Sequence, residues 1–128
     1  MRRTLISVVL IAITVASCKQ HSEAALFGKW KPVDIDINDP TGIRSRPNSG
    51  DEMYRRTYEF KTDSTLAISD GGIPYQVNAF SVMQEENNSY LLLNSPYGVD
   101  RYKILSLSGN ELVIRDHNNV YTYHFRRQ

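Results

Sequence analysis

The chain has 128 residues, with 15 basic against 14 acidic side chains and one cysteine. That length fits one small domain with a single core. The balanced charge excludes the basic footprint of a general nucleic-acid binder, and a lone cysteine excludes an internal disulfide framework.

The first element is a targeting segment. Arg2 and Arg3 precede an uncharged run from Leu5 to Ile13, the basic and apolar regions of an export signal. Residues 4–17 reach only about two-thirds of the roughly 20 residues that a spanning helix needs, so export with cleavage is favoured over a transmembrane anchor. Val15-Ala16-Ser17-Cys18 resembles a bacterial lipobox. The resemblance implies a diacylglycerol on the Cys18 sulfur, cleavage before it and acylation of the new amino terminus. Three chains on one residue anchor stably, whereas a single acyl chain is marginal. The other readings are an ordinary signal peptide with a chance cysteine, or a buried free thiol. Lys19 stands where an aspartate would imply inner-membrane retention, so the resemblance points to the outer membrane of a bacterial cell envelope. Removing residues 1–17 takes Arg2 and Arg3 and leaves 111 residues, with 13 basic side chains against 14 acidic. The polar residues 18–25 read as a lipidated tether.

From Phe27 onward, stretches rich in Tyr, Val, Ile, Leu and Phe recur between turn residues. Eight strands are predicted, over 27–37, 54–61, 65–69, 73–83, 89–94, 99–106, 111–116 and 120–127. The later connections are short and rich in Gly, Asn, Asp, Ser and Pro, so neighbouring strands pair antiparallel as a meander. Period-two alternation places Tyr58 and Phe60, Leu66 and Ile68, Tyr75, Val77 and Ala79, Leu112 and Ile114, and Tyr121, Tyr123 and Phe125 on the buried side. Thr57, Glu59, Lys61, Glu111, Arg115, Thr122 and His124 fall on the other. About eight consecutive strands with one wet face predict an all-β, up-and-down antiparallel meander closed into a small barrel, which removes the sheet edges. A two-sheet sandwich is the alternative.

Residues 38–53 form the one long connection, carrying Pro40, Gly42, Pro47 and Gly50 with Arg44 and Arg46. Loops of that length in a small domain are usually functional or disordered, and this one would hang over one mouth of a barrel. Arg56 is in phase with Tyr58, so it points into that mouth and can pair with an anionic group. The bland reading of Arg44, Arg46, Arg55 and Arg56 is solvated surface, and that of the inward tyrosines is core filling.

Metal and catalytic chemistry find little support. Residues 34–39 open like a calcium loop, but Asp39 stands at the turn glycine and Ser45 at the bidentate glutamate. His21, His117 and His124 have no ligand spacing. No nucleophile elbow or phosphate-binding glycine pattern occurs, so the expectation is no enzyme, no metal and no cofactor. Asn87-Asn88-Ser89 matches a eukaryotic glycosylation acceptor, which a lipobox argues against. Asp63-Ser64-Thr65 matches a short O-glycosylation pattern of some bacterial envelope proteins, and turn chemistry explains the same residues.

Three places resemble the lipocalins and the lipocalin-like domains of small bacterial lipoproteins. Gly28-Lys29-Trp30 carries the Gly-x-Trp signature of the first strand. Phe60 to Leu66 is similar to the Phe-x-x-Asp-Gly-Thr-Leu hairpin of the bacterial domains, with Ser64 in place of glycine. Arg126 and Arg127 end the last strand where lipocalins place an arginine over the tryptophan. The resemblance implies a lipocalin-like β-barrel over residues 26–128, closed at one end by Gly28, Trp30 and either Arg126 or Arg127 through a cation–π contact. Full lipocalins are longer and add a helix, for which this chain leaves no obvious room.

These readings predict a lipid-anchored envelope protein that binds a small apolar or amphipathic ligand through Arg56, Tyr58 and Tyr75. The alternative is a protein–protein binding or inhibitory module acting through the 38–53 loop.

Overall fold

Backbone conformation at the turns sets the strand boundaries. Gly71 and Gly72 sit at φ 58° and 85°, and Asp70 pairs with Ile73 across them. A two-residue hairpin with both central residues in the left-handed region matches the twist of its strands, and glycine enters that region without a steric cost. Glu86 and Asn87 make a similar reversal at φ 48° and 66°.

The computed structural model describes residues 22–38 and 52–128. A 3-10 turn (Glu23–Leu26) leads into β1 (Gly28–Ile37). A one-turn helix α1 (Glu52–Arg55) precedes β2 (Arg56–Phe60), followed by β3 (Thr65–Asp70), β4 (Ile73–Glu85), β5 (Asn88–Ser95), β6 (Gly98–Leu107), β7 (Glu111–Asp116) and β8 (Tyr121–Arg127). Each strand pairs antiparallel with the next, and β1 also pairs with β8. The sheet is therefore a closed eight-stranded barrel without free edges. The sandwich alternative is thereby excluded.

Two expectations need correction at the boundaries. Tyr54 and Arg55 belong to α1 rather than to the second strand. Glu23 to Ala25, expected in the tether, belong to the 3-10 turn that seals the barrel: Glu23 Oε1 accepts a hydrogen bond from the Val82 amide, and the following Leu26 has no exposed surface.

Alternating chain direction gives the barrel two unlike ends. At one end lie the start of β1, the end of β8 and the turn between β2 and β3. Here Trp30, Leu26, Phe60, Phe80, Leu66, Leu91, Leu112 and Phe125 form a packed core, with Phe60 and Phe80 edge to face at 5.0 Å between ring centres. At the other end lie Arg56, the Gly71-Gly72 turn, the β5–β6 turn and the start of β8.

Register shifts change which residues face inward. One extra residue opposes one partner step at Val33 in β1, Tyr75 in β4 and Leu105 in β6, the pattern of a β-bulge. All three are exposed.

In β4 the expected inward set is reversed. Tyr75, Val77 and Ala79 face solvent, while Gln76, Asn78 and Phe80 point inward. Directly opposed residues of paired strands share a face, and buried Leu66 and Ile68 oppose Asn78 and Gln76. Phe80 sits in the same phase and is only 3% exposed. A one-residue choice of phase turns a whole strand over, so the core contacts of Phe80 outweigh the apolar pattern of the three residues expected inside.

Candidate functional site

The inner face at the open end encloses a cavity of about 330 Å³. Its depth is apolar, with Phe60, Leu66, Ile68, Leu91, Leu112, Ile114 and Phe125. Polar side chains line the rest: Arg56 and Tyr58 from β2, Gln76 and Asn78 from β4, level with Ile68 and Leu66, Asp100 and Tyr102 from β6, and Tyr123 from β8. An apolar interior with a few converging polar groups is the ordinary form of a small-molecule site.

Local interactions fix these side chains. Tyr58 packs edge to face on Phe125 at 5.2 Å, and Tyr102 on Tyr123 at 6.2 Å. The Arg56 guanidinium stands beside the Tyr58 hydroxyl, and its guanidinium carbon lies 4.4 Å from the centre of the Tyr75 ring. Gln76 Nε2 donates to Asn78 Oδ1 at 3.0 Å. Burial raises the pKa of Tyr58, against the lowering effect of Arg56. Burial also raises Tyr102, reinforced by the Asp100 and Asp116 carboxylates, and pushes Tyr123 up to about 12. All three phenols therefore remain hydroxyl donors at neutral pH.

Of the residues singled out from sequence for ligand contact, Arg56 and Tyr58 line the cavity. Tyr75 does not. It is the bulged residue of β4, 57% exposed, and it reaches the site only by stacking on Arg56. Tyr121, expected inside, is partly exposed beside Tyr123. Gln76, Asn78, Asp100 and Tyr102 were not among the expected site residues. The period-two phase of Tyr102 and Ile104 was a usable signal for β6. Asn78 and Gln76 gave none, since polar residues read as an outer face.

The opposite end is plugged. Arg127 holds its guanidinium carbon 4.2 Å from the Trp30 ring centre and donates to the carbonyls of Phe27, Ala25 and Gly109. Trp30 is fully buried, and its Nε1 donates to the Leu26 carbonyl at 2.8 Å. Gly28 stands against Arg127 at φ +125°. Arg126 takes no part: it lies on the outer face, opposite Lys31 and Glu111.

The remaining motif residues have local roles. Asp36 pairs with His124 Nε2 at 2.9 Å, and Asp34 Oδ1 accepts from the Ile35 amide at 3.0 Å. Asp63 Oδ1 accepts from the amide and hydroxyl of Thr65, which holds the β2–β3 turn and lowers the Asp63 pKa. Cys18 with the targeting segment, most of the tether and loop residues 39–51 lie outside the described residues.

No family model matches the chain, and no curated protein matches it. Two solved structures are similar in shape. A lipocalin-like protein from Bacteroides uniformis ATCC 8492 superposes with a TM-score of 0.52 at 14% identity, over 81% of this chain and 99% of that one. An uncharacterized protein from Bacteroides eggerthii DSM 20697 superposes with a TM-score of 0.50 at 13% identity, over 80% of this chain and 99% of that one. At such identities the likeness concerns the fold, an all-β closed barrel of eight antiparallel strands of the lipocalin-like kind.

Proposed function

We propose that the protein is a lipid-anchored binding protein of a bacterial envelope, held in the outer membrane through Cys18, whose barrel takes a small apolar or amphipathic molecule at its open end. The observation that carries this reading is the asymmetry of the interior: one end is filled by Trp30 and Leu26 under Arg127, and the other leaves about 330 Å³ between apolar walls and a polar rim. A barrel of eight strands can be filled by its own side chains. Here the apolar pattern that would do so in β4, Tyr75, Val77 and Ala79, faces outward, and Gln76 and Asn78 occupy the inner positions.

In this reading the protein holds its ligand without transforming it. Arg56 and the tyrosine hydroxyls orient a polar group, and the aliphatic depth accepts the rest.

The test is native mass spectrometry of residues 18–128 carrying Cys18→Ser, after incubation with bacterial envelope lipid extract. A discrete added mass, lost on Arg56→Ala, is the expected result. An apo mass under all loading conditions would overturn the small-ligand reading. Anchoring is checked separately: expression of the whole chain with [3H]palmitate should label the wild type and leave Cys18→Ser unlabelled.

A further inference from the structure

The polar rim is divided by charge. Arg56 stands on β2, with Gln76 and Asn78 two strands away on β4. Asp100 stands on β6, which is four strands from β2 in either direction around the eight-stranded ring. A guanidinium and a carboxylate therefore face the opening from opposite walls. The Asp100 wall is also aromatic, with Tyr102 two residues along the same strand and Tyr123 against Tyr102.

The two acidic side chains near this aromatic pair have different occupations. Asp116 Oδ1 is engaged by the amides of Val120 and Tyr121, at 2.8 and 3.1 Å, and holds the β7–β8 turn. Asp100 makes no hydrogen bond or ion pair among the described residues, although it lines the cavity. A carboxylate beside the Tyr102 ring, both lining the cavity, is a setting that favours an ammonium, through charge and through the negative face of the ring. Arg56 on the other wall carries a guanidinium fork of the kind that suits a carboxylate, with a neutral Tyr58 hydroxyl next to it.

Between the walls lies an apolar depth of limited size. At about 330 Å³ the cavity lies at the lower end of the roughly 300–1,000 Å³ of small-molecule sites. That excludes full enclosure of a two-chain lipid and suits a single short chain or ring.

We propose that the cavity takes a small zwitterion with an apolar body, its anionic group held by Arg56 and Tyr58 and its cationic group held by Asp100 against the Tyr102 ring. This rests on the reading of the cavity as a ligand site and names the class of ligand.

Calorimetric titration of residues 18–128 with Cys18→Ser tests it, using three probes that share one chain: 2-aminodecanoate, decanoate, which lacks its ammonium, and nonylammonium, which lacks its carboxylate. 2-Aminodecanoate should bind roughly tenfold tighter than either single-charge probe. Arg56→Gln should weaken decanoate and spare nonylammonium, and Asp100→Asn should do the reverse, so each variant controls for the folding of the other. Equal affinity of 2-aminodecanoate and decanoate, with Asp100→Asn indifferent to nonylammonium, would overturn the zwitterion and leave the cavity reading standing. Uniform weakening of all three probes by either variant would overturn the assigned charge seats. If no probe binds, the zwitterion assignment falls, and the mass-spectrometric experiment with envelope lipid extract decides the cavity reading separately.

Discussion

Gly28 and Arg127 share one small volume: a Cβ added at Gly28 would lie 2.6 Å from Arg127 Nη1. The guanidinium is held there by the Trp30 face and by carbonyls from the chain before β1 and from the β6–β7 turn. Gly28→Ala therefore meets two obstacles, a φ of +125° that L side chains rarely adopt and a close contact with a restrained group. The expected loss is about 1–3 kcal/mol of stability. Arg127→Ala should cost about 2–4 kcal/mol, because several charge-assisted hydrogen bonds and the ring contact go together. Arg126→Ala should stay within about 0.5 kcal/mol. Urea denaturation of the three variants checks the order, and a large effect of Arg126→Ala would contradict the assignment of the plug to Arg127.

Ser64 occupies the place where the similar bacterial hairpins have glycine, and its φ is 65°. Its amide and carbonyl serve the turn, bonding to the Lys61 carbonyl and the Phe80 amide at 3.1 and 2.9 Å. Those bonds survive substitution by glycine. Relief of the left-handed strain outweighs the extra freedom of glycine in the unfolded chain by a small margin, so Ser64→Gly should add up to about 1 kcal/mol. A rise in thermal midpoint is the readout; a fall would mean that the serine side chain holds the turn.

Strand positions were legible because turn residues punctuate the sequence at short intervals, and the faces of β2, β3, β7 and β8 followed from clean alternation. The closed end was legible for a different reason. Gly28, Trp30 and the terminal arginine pair are types whose chemistry has few other uses in that arrangement. The open end was only half legible. Arg56 and Tyr58 lie in phase with Phe60, whereas the bulge at Tyr75 and the polar inner face of β4 have no local signature. A bulge arises from how two strands fit, and a polar residue facing a cavity looks in sequence like one facing water.

The reversed phase of β4 gives a direct test. Val77 is 64% exposed and Phe80 is buried against Phe60. Val77→Lys should change stability by less than about 0.5 kcal/mol, since an exposed site loses little packing. Phe80→Ala should cost about 3–5 kcal/mol through lost burial and a residual void. Chemical denaturation distinguishes the two. A large penalty at Val77 would restore the phase expected from the apolar pattern and would remove Gln76 and Asn78 from the cavity.

Tyr123 links the cavity to alkaline pH. Its hydroxyl is pushed up to about 12 by burial and by nearby Tyr102 and Asp116, from an ordinary value of 10.0. Between those values the unfolded chain releases the proton while the folded chain keeps it, so the folded state binds more protons there. Stability then falls with rising pH. The contribution from Tyr123 should be complete below pH 10 and should decline as pH approaches 12, with Tyr58 and Tyr102 adding in the same direction because theirs are also raised. Tyr123→Phe has no such proton and should flatten the decline. Denaturation midpoints taken at half-unit steps above pH 9, alongside phenolate absorbance, measure both quantities. A Tyr123→Phe curve parallel to the wild type would show that the Tyr123 hydroxyl titrates alike in the folded and unfolded chains, and so is not the buried donor that the cavity geometry requires.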